Sequence, residues 1–154
     1  MMRLNLKSIL AVPLLAGIMI SMQSCNTVKT IPMDDLEVLS NSDYSQFDQT
    51  ERLVVKSDAG LQSIYDRLTT KEATPQINWY KNQVVLLSMG QRNTGGFSIS
   101  VDRVVYGNSE ILVYYKTTEP KAGEMVTQAL TAPYVLFTID NKKDLPVVFK
   151  EESE

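Results

Sequence analysis

Four consecutive apolar residues, Val84-Val85-Leu86-Leu87, set the tightest limit on how this chain can fold. Successive side chains of a strand point to opposite faces, so a strand with no polar residue needs cover on both sides. The run continues through Ser88 and Met89 and is closed by Gly90, which fits a central strand. Phe97, Ile99 and Val101 alternate with Ser98, Ser100 and Asp102, the pattern of a strand with one face in the core and one in water. Between Val101 and Val104 the apolar phase slips by one residue, and a bulge near Asp102 accounts for it. Gly107-Asn108-Ser109 makes a tight turn, and Ile111 to Lys116 returns as the second arm of a hairpin. Met125 to Leu130, Tyr134 to Ile139 and Val147 to Phe149 are read as further strands, with Pro133 and Pro146 at strand beginnings, where a missing donor is tolerated.

Ahead of these strands stands the one convincing helix signal. Leu53, Val54 and Val55 form a short strand-like run, after which Ser57 or Asp58 can cap a helix. Leu61, Ile64, Tyr65 and Leu68 follow at the three- and four-residue spacing of one buried face, and the helix is expected to end near Thr69-Thr70. The expected fold is mainly β with one helix (α+β): an antiparallel β-sandwich or barrel-like sheet, with one N-terminal helix packed against it.

The first 24 residues have the layout of an export signal: a basic start with Arg3 and Lys7, an apolar run from Ile9 to Ile20, and a short polar stretch. The run is twelve residues, well short of the roughly 20 needed to cross a bilayer, and Pro13 interrupts it. Cys25 is the only cysteine, so no intramolecular disulfide can form. Its place behind Ser24 resembles the lipobox of bacterial lipoproteins, with Met22 and Gln23 where leucine and a small residue are commonest. That resemblance implies cleavage ahead of Cys25, acylation of its sulfur and anchorage in a bacterial cell envelope, at the outer membrane facing the periplasm. Cleavage leaves 13 basic against 18 acidic residues, a net charge of −5. An acidic chain with no Lys/Arg cluster argues against nucleic acid. Residues 25–50 are polar, with Asp34, Asp35, Asp43 and Asp48 among Ser, Asn and Gln, and are read as a flexible tether ahead of a domain over 51–150.

Chemistry is sparse. The chain has no histidine, which removes the commonest general base near neutral pH and the commonest metal ligand. With Cys25 given to lipid, no Ser-His-Asp or Cys-His pair can be built, and no cofactor, metal or small-molecule substrate is expected. The most distinctive string is Gly90-Gln91-Arg92-Asn93-Thr94-Gly95-Gly96-Phe97. It has a plain reading, a connection whose shape demands glycine, and a sharper one, a binding loop presenting Arg92, Asn93, Thr94 and Phe97 from a rigid sheet.

Taken in order, Trp79-Tyr80, Val84 to Gly90, Thr94-Gly95-Gly96-Phe97-Ser98-Ile99, Pro120, Gly123, Thr127-Gln128 and Ala132-Pro133-Tyr134 resemble the PrcB C-terminal domain family. The resemblance runs from about Ile77 to Phe149, and Phe97 replaces the tyrosine usual there. It implies a non-catalytic subunit that binds and supports a partner protein, such as a secreted protease, with Arg92, Asn93, Thr94, Gly95, Gly96, Phe97, Pro133 and Tyr134 as the expected contact residues. The alternative comes from the Asn93–Phe97 loop, which is similar to the wedge of chagasin-like peptidase inhibitors but lacks its proline. Trp79, Tyr80 and Tyr134 are each expected to pack in the core or at an edge, and Tyr114 and Tyr115 to face opposite sides of their strand.

Overall fold

The computed structural model describes residues 28–70, 72–142 and 144–152. Residues 1–24, read above as an export signal, and Cys25 lie outside the described residues. The elements in order are β1 (Lys29–Pro32), a short 3-10 turn, β2 (Val38–Ser42), β3 (Glu51–Val55), α1 (Asp58–Tyr65), β4 (Asn82–Ser88), β5 (Ser98–Tyr106), β6 (Ile111–Thr118), β7 (Tyr134–Asp140) and β8 (Val147–Glu151). They form two four-stranded sheets, β1-β5-β6-β8 and β2-β7-β4-β3, stacked as a sandwich that does not close into a barrel.

Val84 to Leu87 lies mid-sheet, as its lack of polar residues requires, between β3 and β7. Val85 and Leu87 face the other sheet and join Phe137, Ile139, Val101, Val104 and Val113 in the inter-sheet core. Val84 and Leu86 face the opposite way, where α1 covers them with Leu61, Ile64 and Tyr65, and the turn after it with Leu68. The β2-β7-β4-β3 sheet is therefore the middle of three layers. Ser57 caps α1 as expected: its backbone is extended and its hydroxyl accepts from the Gly60 amide at 3.2 Å. An eight-residue helix is too short to be stable alone in water, so its three buried side chains hold it, each contributing about 1.5–3 kcal/mol. It stops at Tyr65, four residues before the expected end.

Asp102 falls at a register shift between Val101 and Arg103 in the β5–β6 pairing, and Gly107 to Glu110 turns the hairpin. Tyr115 points into the core while Tyr114 lies outside under the Arg103 guanidinium, 3.9 Å from its ring centre.

Three expectations are corrected. The segment read as a tether supplies β1, antiparallel to β5, and β2, antiparallel to β7, and it places Phe47 fully inside the helix-side core. Edge strands need one row of backbone partners and few apolar residues, so their sequence looks like that of a spacer. Met125 to Leu130 is not a strand; it belongs to a loop whose side chains mostly face solvent. Finally, β8 runs parallel to β6, the one parallel strand pair among the described residues.

Tyr106 closes one end of the sandwich. It is buried, its hydroxyl accepts from the Asp140 amide at 2.9 Å, and burial pushes its phenol up to about 12. The unfolded chain ionises it near pH 10, so the stability this group contributes is complete below about pH 10 and is lost as the pH rises towards 12. Tyr106→Phe is expected to flatten the fall in stability across that window, measured by denaturant titration at successive pH values. A residual slope remains from Tyr65, whose phenol burial also raises.

Candidate functional site

Three loops meet at the end of the sandwich where β4 finishes and β7 begins. Residues 43–50 connect β2 to β3, 89–97 connect β4 to β5, and 119–133 connect β6 to β7. Backbone bonds stitch them together. Met89 donates to the Pro133 carbonyl at 2.9 Å, Gln91 to Asp48 at 3.2 Å, and Ala132 to Asp43 at 2.8 Å. Arg92 and Thr131 exchange amide bonds of 2.7 and 3.0 Å, and Gly95 donates to Thr127 at 2.9 Å.

Gly90 is required by this joint. Its φ is +70°, and a Cβ there would overlap the Gln49 carbonyl carbon and lie 2.7 Å from Gln49 Cα and the Thr50 nitrogen. Gly95 is buried, and a Cβ on it would run into the Thr127 hydroxyl. The Thr94 carbonyl accepts from the Thr131 hydroxyl at 2.8 Å. Phe97 is half-buried against the inter-sheet core, with the Arg92 guanidinium 5.4 Å from its ring centre.

The Thr-Gly-Gly-Phe string is thus clamped beneath the 119–133 loop, and its glycines serve close packing. It is not a protruding wedge: of the expected contact residues in it, Asn93 and Gly96 are exposed, Arg92, Thr94 and Phe97 are half-buried, and Gly95 is buried. Pro133 and Tyr134 are buried too. Tyr134 packs edge-on against Phe47 with ring centres 6.0 Å apart, and its hydroxyl shares a 2.7 Å hydrogen bond with Ser40. Neither is available to a partner while the fold is intact, which corrects that part of the expected contact set.

What the end of the sandwich does present is a different set of side chains. Met125 is 99% exposed, Leu130 58% and Tyr44 50%. Tyr44 and Leu130 flank a shallow hollow of about 240 Å³, floored by Phe47 and Thr131 and rimmed by Gln91. The apolar crown was missed because a partly apolar stretch such as Met125 to Leu130 reads as a strand when nothing shows that its backbone lacks partners.

A second cluster lies at the bulge of β5. Asp102 accepts from Lys116 at 3.0 Å and also pairs with Arg103, whose guanidinium grips Glu152 through two bonds of 3.1 and 2.7 Å. Lys116 and then Arg103 hold the Asp102 carboxyl below the usual carboxylate range, while Glu152 and then Asp102 push Arg103 up. Two acids and two bases satisfy one another, so the cluster fastens the C-terminal end to the sheet and has no spare charge to offer a ligand. Among the described residues there is no grouping of three or more His, Cys, Asp or Glu side chains that could hold a metal ion, and no helix is long and apolar enough to cross a membrane.

No curated protein and no solved structure matches this chain. The family model described as PrcB C-terminal matches residues 83–140, from the first buried residue of β4 to the last residue of β7. That span holds both central strands of the middle sheet, the clamped Thr-Gly-Gly-Phe loop and the crown above it, and over it this chain is similar to the PrcB C-terminal family.

Proposed function

We propose that this chain is a membrane-anchored, non-catalytic extracytoplasmic lipoprotein that binds a partner protein and supports its assembly or stability, the partner being a component of a protease complex. The family match over residues 83–140 carries this reading. The anchor is lipid on Cys25, read from the export-signal pattern ahead of it, with the outer membrane facing the periplasm as the site. Two or three acyl chains, at about 0.8 kcal/mol per buried methylene, hold a protein there for long periods. The partner meets the crown of Met125, Leu130 and Tyr44. Exposed apolar side chains carried on a loop that is itself clamped to a rigid sheet can be buried by a partner at little cost in ordering.

Crosslinking in intact cells followed by mass spectrometry tests the reading, with a larger envelope protein expected among the captured species. Met125→Asp combined with Leu130→Asp is expected to weaken capture of that protein at least tenfold, which is about 1.4 kcal/mol, without lowering thermal stability. Undiminished capture by the double variant would remove the crown as the contact surface, and absence of any captured protein would remove the binding function.

A further inference from the structure

We propose that the domain stands upright on the membrane, with the end opposite the crown resting on the lipid headgroups through Tyr80, Lys81 and Lys142; this rests on the lipid anchor at Cys25 read above. Only Asn26, Thr27 and Val28 separate Cys25 from β1. At about 3.6 Å per residue, the four steps from Cys25 to Lys29 reach no further than roughly 14 Å. Lys29 itself is fixed, opposite Tyr106 in the β1–β5 pairing and in a 3.0 Å ion pair with Asp140. The turn carrying Tyr80 is its neighbour: Asn141, next to Asp140, donates from its backbone amide to Lys81 at 2.6 Å and from its side chain to the Trp79 carbonyl at 3.2 Å. The anchor point and this turn therefore share one end of the sandwich. The crown is at the other, a strand length away; the nine residues of β5 span about 30 Å at 3.3 Å each.

A tether this short still allows the domain to tip onto the side of β1. Charge opposes that tilt, because the connection from β1 to β2 exposes Asp34, Asp35 and Glu37 on the β1 side of the rim, where Asp35 and Glu37 share a hollow with Asn82, Tyr106 and Asp140. Tipping that way presses them against an anionic leaflet that repels them. At the upright end Asp140 is paired with Lys29 and Asp144 with Lys56 at 3.1 Å, Asp58 accepts from the Trp79 indole and Glu110 sits in the β5–β6 turn. The exposed Lys81 and Lys142 beside Tyr80 and Asn141 make no ion pair among the described residues. Tyr80 is 97% exposed. A tyrosine beside lysines is the composition that settles at headgroup depth, with the ring on the apolar side and the hydroxyl and ammonium groups in water. This gives a role to the aromatic that was expected to pack and does not.

The test uses the full acylated protein in vesicles of phosphatidylethanolamine and phosphatidylglycerol containing a headgroup-linked quencher. A fluorophore is attached at Tyr80→Cys, Asp34→Cys or Met125→Cys, one at a time, Cys25 being blocked by lipid. Strong quenching at position 80, weaker quenching at position 34 and none at position 125 beyond the level of quencher-free vesicles is the expected result. Intact mass on the same samples reports the acyl chains. Acylated protein quenched equally at 80 and 34, or more at 125, overturns the upright orientation and leaves the anchor standing. Protein without acyl chains on Cys25 removes the anchor, and the orientation with it.

Discussion

Replacing Phe47 with alanine lowers the stability of the domain by about 3–5 kcal/mol, the range for truncating a fully buried aromatic. Phe47 is 0% exposed, faces Tyr134 edge-on, and carries the Arg67 guanidinium 4.2 Å from its ring centre. Arg67 in turn is forked onto Glu51 at the start of β3. The substitution therefore opens a void against β7 and loosens the hold of the helix end on β3. For a domain of this size a loss of that scale lowers Tm by roughly 10 °C or more. Urea titration of the purified protein checks it, with the midpoint moving and the slope unchanged. Tyr44→Ala, three residues earlier but half exposed, is the control and should stay within about 0.5 kcal/mol of the parent. If Phe47→Ala matched that control, residues 43–50 would be the loose spacer that their composition resembles.

Gly90→Ala is expected to be comparably damaging for a different reason. The positive φ costs an alanine about 1–3 kcal/mol, and forcing a methyl group into the Gln49–Thr50 backbone costs about 1–3 kcal/mol more. Because the obstacle is backbone, no side-chain rotation relieves it. Gly123 separates the two contributions: its φ is +85°, but a Cβ there meets nothing within 4 Å, so Gly123→Ala should show the first cost alone. Thermal melts of the two variants side by side provide the measurement. Equal losses would mean that the joint between the 43–50 and 89–97 loops yields easily.

The contrast between Phe47 and the strands that follow it shows what periodicity conveys and what it does not. The run at Val84–Leu87, the alternation from Phe97 to Val101, the phase slip at Asp102 and the spacing of Leu61, Ile64, Tyr65 and Leu68 were legible because burial on a known face leaves a repeat in the sequence. β1 and β2 leave almost none, since each is held mainly by backbone bonds to a neighbour more than seventy residues away. Met125 to Leu130 shows the converse error, an apolar pattern with no strand to pair with. At the crown the residue types of the Thr-Gly-Gly-Phe string were informative, yet glycines that admit a close neighbour look the same as glycines that shape an exposed tip. Only the position of Thr127 and Val126 over Gly95 and Gly96 tells them apart.

The order of strands in the middle sheet also governs when folding can finish. β7 lies between β2 and β4, so neither β2 nor the complete helix-side core has its partner until residues 134–140 are present. The β5–β6 hairpin is local and can form early, but closing β2 on β7 joins segments about 95 residues apart, as in the bond between Ser40 and Tyr134. Such long-range closure is slow. A chain synthesised N-terminus first thus remains pliable through most of its emergence and sets into its final shape only after nearly all of it is made.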